Sequence, residues 1–334
     1  IEDKDNLVEG VVENLSDKDN KFLNFSTSEG AGIIKEKIFE TIVAKETDKS
    51  AAILSKVMAK SNDPTVALLI KVITEKNANK DSKLSLKIMA DISEKNPDKL
   101  ETLSQNNSDQ IDKLMISAVE EAESSEEDAD LIAKVVVVAG DELANKVVEE
   151  VIKSSIDEKQ TLSAQVLKAI VDTEPNKLDI IEDDVKDTMI KQTIESAQNQ
   201  QEGTGVQDQD MTSIVSDIIV NTDTETGSKM IEELNNSSNN IESNLSLKVI
   251  SAISEKDTTK LNTLSENNKE QIEKLTETAI KNANASEESA DLIAKVVAVA
   301  SDELVNKVVQ EVTKNSTEEN QGLSAKVMKS IVET

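Results

Sequence analysis

The sequence predicts an all-α chain, an α-solenoid of stacked helical hairpins. Three observations point there: a long internal duplication, a shorter apolar period inside it, and proline and acidic punctuation at the right places for helix starts. The duplication is plainest where "ADLIAKVVVVAGDEL" (129–143) returns as "ADLIAKVVAVASDEL" (290–304), 161 positions on. Residues 84–173 align with 245–334 at that offset without a gap, and 55 of the 90 pairs are identical. The register continues backwards, with Ile53 on Ile214, Leu54 on Val215 and Val57 on Ile218. Residues 50–173 and 211–334 are thus two copies of one block, which makes repeat architecture the first expectation.

Inside a block, a leucine followed by a pair of Val, Ile, Met or Leu recurs, as at Leu54/Val57/Met58, Leu69/Val72/Ile73 and Leu131/Val135/Val136. The spacing fits one helix and turn per roughly 16 residues, a hairpin per roughly 32, and ten helices per block. In "NKVVEEVIK" (145–153) the residues Val147, Val148, Val151 and Ile152 share one helical face. Pro64, Pro97 and Pro175 each precede a new apolar pattern and read as the first residue of a helix. Ser125 and Ser286, each followed by acids, read as N-caps with an acidic first turn. The Val135–Val138 run would suit a strand, but Ala298 and Ser301 replace Val137 and Gly140 in the second copy, and Ala favours helix. The alternative architecture is two separate helical bundles.

The predicted organisation is an N-terminal polar segment with the first helices (1–49), block copy 1 (50–173), bridging helices (174–210) with a polar loop at 198–210, and block copy 2 (211–334). Thr334 matches Thr173, which is followed by another helix start, so the sequence reads as a window on a longer tandem array.

Composition narrows the function. The chain has no Cys, His, Trp or Tyr, all 37 basic residues are Lys, and the only aromatics are Phe22, Phe25 and Phe39. Thiolate metal sites, thiol nucleophiles, an imidazole base and a guanidinium clamp are therefore excluded. A net charge of −29 repels nucleic acid and anionic lipid, and no apolar run is long enough for membrane insertion. The lack of Cys leans toward an extracellular or cell-surface setting, with the cytoplasm as the alternative.

Each candidate site has a plainer reading. The acidic clusters Glu2-Asp3-Asp5, Glu126-Glu127-Asp128 and Glu182-Asp183-Asp184 could offer oxygen ligands to Ca²⁺, but none has the spacing of an EF-hand, and they read as solvated helix starts. Ser55-Lys56 and Ser163 with Lys168 have the residue types of a serine–lysine nucleophile, yet both sit in repeat positions. "EGTGV" (202–206) lacks the Lys-Ser/Thr of a phosphate loop. Met58, Met89, Met115 and Met328 read as core. Asn14-Leu15-Ser16 and Asn284-Ala285-Ser286 match a glycosylation pattern that an Asn- and Ser-rich chain produces by chance. Phe22 and Phe25 read as the core of a first helix or turn. No catalytic, cofactor-binding or metal residue is therefore assigned. The expected function is a non-enzymatic structural repeat protein, meaning a spacer, stalk, filament subunit or scaffold. Its expected partner is protein, by self-association or end-to-end stacking. The alternative is a solenoid module that grips a basic protein.

Overall fold

The structure is a computed structural model that describes residues 8–13, 29–76, 83–155, 161–201, 211–237, 245–283, 286–315 and 322–333. Among the described residues every regular element is a helix, as predicted. The chain divides into two compact units, Ile1–Val185 and Lys186–Thr334.

In the first unit the helices are α1 (8–13), α2 (Glu29–Val43), α3 (Asp48–Lys60), α4 (Asp63–Lys76), α5 (Leu84–Lys95), α6 (Pro97–Asn106), α7 (Ser108–Glu121), α8 (Glu126–Val138), α9 (Asp141–Ser154) and α10 (Leu162–Thr173). A 3-10 turn, Pro175–Ile180, follows. Helix α11 (Asp183–Gln201) begins at the boundary and takes in the first four residues of the predicted polar loop; 202–210 lie outside the described residues. The second unit continues with α12 (Met211–Asn221), α13 (Thr224–Ser237), α14 (Leu245–Lys256), α15 (Thr258–Asn267), α16 (Lys269–Asn282), α17 (Glu287–Val299), α18 (Asp302–Asn315) and α19 (Leu323–Glu333).

Each unit is built in two rows. In the first, α3, α5, α8 and α10 pack in succession, and α2, α4, α7 and α9 do the same beside them. In the second, the rows are α12, α14, α17, α19 and α13, α16, α18. A helix that packs on the one two or three places further along is the mark of stacked hairpins. The core lies between the rows, filled by residues such as Leu54, Met89, Leu114, Ile132 and Val148. Both copies of the Val-rich stretch are helical, and Ile132, Ala133, Val135 and Val136 of α8 are buried.

The hairpin period is not a uniform 32 residues. From α4 at Asp63 to α7 at Ser108 is 45 residues, and from α7 to α9 at Asp141 is 33. The second unit repeats both numbers, with 45 from Thr224 to Lys269 and 33 from Lys269 to Asp302. The longer step holds an inserted short helix, α6 or α15. Each buries only two leucines, Leu100 and Leu103 or Leu261 and Leu264.

The prolines act less uniformly than predicted. Pro97 opens α6 after Asn96. At α4 the cap is Asn62, whose Oδ1 accepts from Thr65 N at 3.2 Å, so Asp63 is already helical and Pro64 is second. Pro175 opens a 3-10 turn, not an α-helix. Ser125 and Ser286 cap as expected, accepting from Asp128 N at 3.2 Å and Ser289 N at 3.0 Å.

One interaction recurs along the chain. Lys99 Nζ donates to Ser61 O (3.4 Å), Lys177 Nζ to Ala139 O (2.7 Å) and Lys260 Nζ to Thr222 O, each 38 residues back. The three carbonyls close α3, α8 and α12, where the helix dipole favours a cation and the last carbonyls lack partners within the helix. Each lysine precedes a buried leucine, Leu100, Leu178 or Leu261. Burial lowers the pKa of Lys177 and of Lys260.

If the two blocks are the same packing lattice, matched core deletions should cost alike. Ile132→Ala and Ile293→Ala, both at buried positions, should each lower unfolding free energy by about 2–5 kcal/mol in urea titrations. A cost below about 1 kcal/mol at either site would contradict that equivalence.

Candidate functional site

The most chemically distinctive cluster lies in the first unit, where α5, α7 and α8 meet. It starts from a local problem. Lys83, the residue before α5, takes a left-handed conformation (φ 53°) and its side chain does not cap the helix. The first amides of α5 need an acceptor from elsewhere. Glu121, the last residue of α7, supplies it: its Oε2 accepts from Ser85 N at 2.8 Å and Leu86 N at 3.3 Å. Ser117, one turn earlier, donates to Glu121 Oε1 at 3.2 Å. The Glu121 residue is only 4% exposed.

The Lys83 side chain turns the other way. Its Nζ donates to Asp128 Oδ2 at 2.7 Å and to Glu123 Oε2 at 3.2 Å. Asp128 Oδ2 also accepts from Glu123 N at 2.7 Å, which pins the short connection between α7 and α8. Asp128 is 1% exposed, and its Oδ1 has no hydrogen-bond partner. This corrects the expectation of a solvated acidic helix start. Glu126 and Glu127 fit that description, but the third residue of the turn faces the interior, where Lys83 meets it.

Burial pushes the Glu121 carboxyl above its ordinary range, against four hydrogen-bond contributions that pull it down. For Lys83, burial presses the pKa down, but the hydrogen bonds and charges of Asp128 and Glu123 outweigh it and raise it. The arrangement is suited to holding α5, α7 and α8 in register: a carboxylate caps one helix end and an ammonium ties the next.

The second copy lacks these charges. Lys83, Glu121, Glu123 and Asp128 correspond to Asn244, Asn282, Asn284 and Ser289.

The other sequence candidates are scattered. Glu2-Asp3-Asp5, "EGTGV", Asn14-Leu15-Ser16, Phe22 and Phe25 lie outside the described residues, as do Asn284 and Ala285. Glu182, Asp183 and Asp184 are exposed around the start of α11. Ser55 Oγ donates to Ala52 O and to the Asp91 carboxylate. Ser163 Oγ donates to Ser155 Oγ at 2.8 Å, while Lys168 Nζ bonds Asp172 at 2.6 Å. Among the described residues no three acids converge where a metal ion could sit, and no helix is long and apolar enough to cross a membrane. Met58, Met89 and Met115 are buried core, as predicted. Met328 is not: it is 59% exposed on α19.

No protein-family model matches this sequence, and neither does any curated protein. A solved structure described as "Computational Design of Self-Assembling Cyclic Protein Homooligomers" aligns at 13% identity, covering 90% of this chain and 96% of that one, with a TM-score of 0.15. A likeness at that score carries no argument about this chain.

Glu121 gives a signed pH test. Because burial raises its pKa in the fold, its contribution to stability is fully present below the ordinary carboxylate range and is lost as pH rises through the raised value. The stability of the parent protein relative to Glu121→Gln should therefore fall as pH rises from about 4 toward neutrality, read from urea midpoints. A difference that stays flat or grows with pH would show that the hydrogen bonds to Ser85, Leu86 and Ser117 outweigh burial.

Proposed function

We propose that this chain is a non-enzymatic structural repeat protein, a spacer, stalk, filament subunit or scaffold, and a window on a longer tandem array. The observation that carries the reading is what the duplication keeps and what it discards. Buried apolar positions persist between copies, as in Ile132/Ile293, Val135/Val296 and Leu143/Leu304. The charge cluster around Lys83 and Asp128 does not: its four charged residues are all neutral in the second copy. Selection for chemistry at that cluster would keep its charges; selection for a helical lattice keeps its core.

The surface supports the same reading. Lys134 pairs with Glu94 across neighbouring helices, and Lys295 with Glu255 at the equivalent positions. Lys146 pairs with Asp112 at 2.8 Å, and Lys307 with Glu273 at 3.8 Å. These partly exposed pairs are each worth under about 1 kcal/mol. Their repetition favours an evenly patterned surface over a single acidic face that grips a basic partner. The setting we propose is extracellular or at the cell surface, on the strength of a chain without Cys.

Intact-mass measurement of the native polypeptide from its source tests the array. The expected result is a mass larger than 36.3 kDa by several repeat blocks. A native mass near 36.3 kDa would overturn it.

A further inference from the structure

The duplication creates a folding problem. A helix of one block has, elsewhere in the same chain, near-copies of its own neighbours. Helix α5 packs on α7 and α8, and α14 packs on α16 and α17 in the same way. The apolar residues of these helices do little to tell the copies apart. Leu86 of α5, Leu114 of α7 and Ile132 of α8 are buried, and Leu247, Leu275 and Ile293 repeat them, also buried. Hydrophobic burial is non-directional and follows the area removed from water, so α5 laid on α16 and α17 would bury much the same apolar surface. Exchange of equivalent elements, within one chain or between two, is a characteristic failure of repeat proteins.

The charges do tell the copies apart. Lys83, Glu121, Glu123 and Asp128 stand against Asn244, Asn282, Asn284 and Ser289. They are spread over all three elements: Lys83 precedes α5, Glu121 closes α7, Glu123 lies in the connection, and Asp128 sits in the first turn of α8. Their bonds cross between those elements. Glu121 Oε2 accepts from the Ser85 and Leu86 amides of α5, and Lys83 Nζ donates to Asp128 Oδ2. In the second copy Ser289 is fully buried, and its Oγ accepts from Ser286 Oγ at 3.0 Å, within its own helix start.

Exchange would break both kinds of bond. With Asn244 in place of Lys83, the carboxylate of Asp128, 1% exposed, would lose its ammonium. With α16 in place of α7, the opening amides of α5 would lose the Glu121 carboxylate. Removing one partner of a buried ion pair leaves an uncompensated charge and is strongly destabilising, whereas removing both together avoids that penalty. The asymmetry penalises mixed pairing and leaves each matched pairing intact.

We infer that Lys83, Glu121 and Asp128 are pairing-specificity residues: they make α5 select α7 and α8 of its own block over α16 and α17, and so set the register in which a duplicated sequence assembles. The partner this interface accepts has carboxylates at both positions. The partner it rejects has Asn and Ser there, whether in the same chain or in a second copy of it. The inference rests on the structural-repeat reading and deepens it. The two can fail separately, because native mass and pairing fidelity are independent measurements.

The chain has no Cys, so introduced thiols report pairing without background. Glu94 of α5 and Lys134 of α8 form an exposed ion pair at 3.2 Å, and Lys295 on α17 is the equivalent of Lys134. Full chains carrying Glu94→Cys with Lys134→Cys, or Glu94→Cys with Lys295→Cys, are refolded from urea and cross-linked with a short bismaleimide. The 94–134 product reports matched pairing, and the 94–295 product reports exchange. Copying the neutral residues into the first block (Lys83→Asn, Glu121→Asn, Glu123→Asn and Asp128→Ser) is expected to raise the 94–295 yield several-fold over the parent. Copying the charges into the second block (Asn244→Lys, Asn282→Glu, Asn284→Glu and Ser289→Asp) leaves the first block untouched and is expected to do the same, because the two blocks then match. A 94–295 yield that stays at the parent level in either set would overturn the inference. So would loss of helical circular dichroism in the neutral set, which would make the charges a requirement of folding and not of pairing.

Discussion

Each helix in this chain has an apolar surface that only other helices can cover, and that constraint organises everything else. An isolated helix of 10–14 residues, the length of most helices here, is marginal in water. It persists because its neighbours two places along take its apolar face out of solvent. Helix α8 shows this: Ile132, Ala133, Val135 and Val136 are buried while Asp130 and Lys134 keep a polar side exposed, and the helix packs against α5, α9 and α10. A sequence that would suit a strand in isolation is helical because those neighbours are helices and leave it no edge to pair with. The lysine bonds to Ser61, Ala139 and Thr222 then fix how far each turn reaches back along the stack.

The duplication separates what the lattice needs from what one copy added. Apolar positions and inter-helix ion pairs recur. The Lys83–Asp128 pair and the Glu121 cap do not, which fits their energetics. Burying a charge is costly unless it is paired and hydrogen-bonded, and losing both partners together avoids the penalty of leaving one buried charge unpaired. The second copy, with Asn282 and Ser289 at two of the positions, holds the same helices in the same order.

The sequence made the helices legible and the irregularities less so. The comparison of Val137 with Ala298 was enough to choose helix over strand, and Ser125 and Ser286 marked the starts of α8 and α17. The short helices α6 and α15 broke the even hairpin period because two buried leucines each give too weak a pattern to separate a helix from a connection. The polar cluster was missed for a different reason. Glu121 and Asp128 look like surface residues one at a time, and only their joint replacement by Asn and Ser in the second copy could have flagged a shared buried environment. Met328 sits at a core position by repeat register, yet it is exposed, because register reports which face a residue occupies and not whether that face is covered.

The central claim is that both blocks are the same helical lattice, held by packing and not by the charges of the first. Amide hydrogen exchange by mass spectrometry reads this directly, comparing Ala129–Val138 with Ala290–Val299 in the intact chain. The account predicts strong protection in both, with opening free energies that agree to within about 1–2 kcal/mol. Rapid exchange in Ala290–Val299 beside protected amides in Ala129–Val138 would contradict it, and would make the buried charges of the first copy the support on which its fold depends.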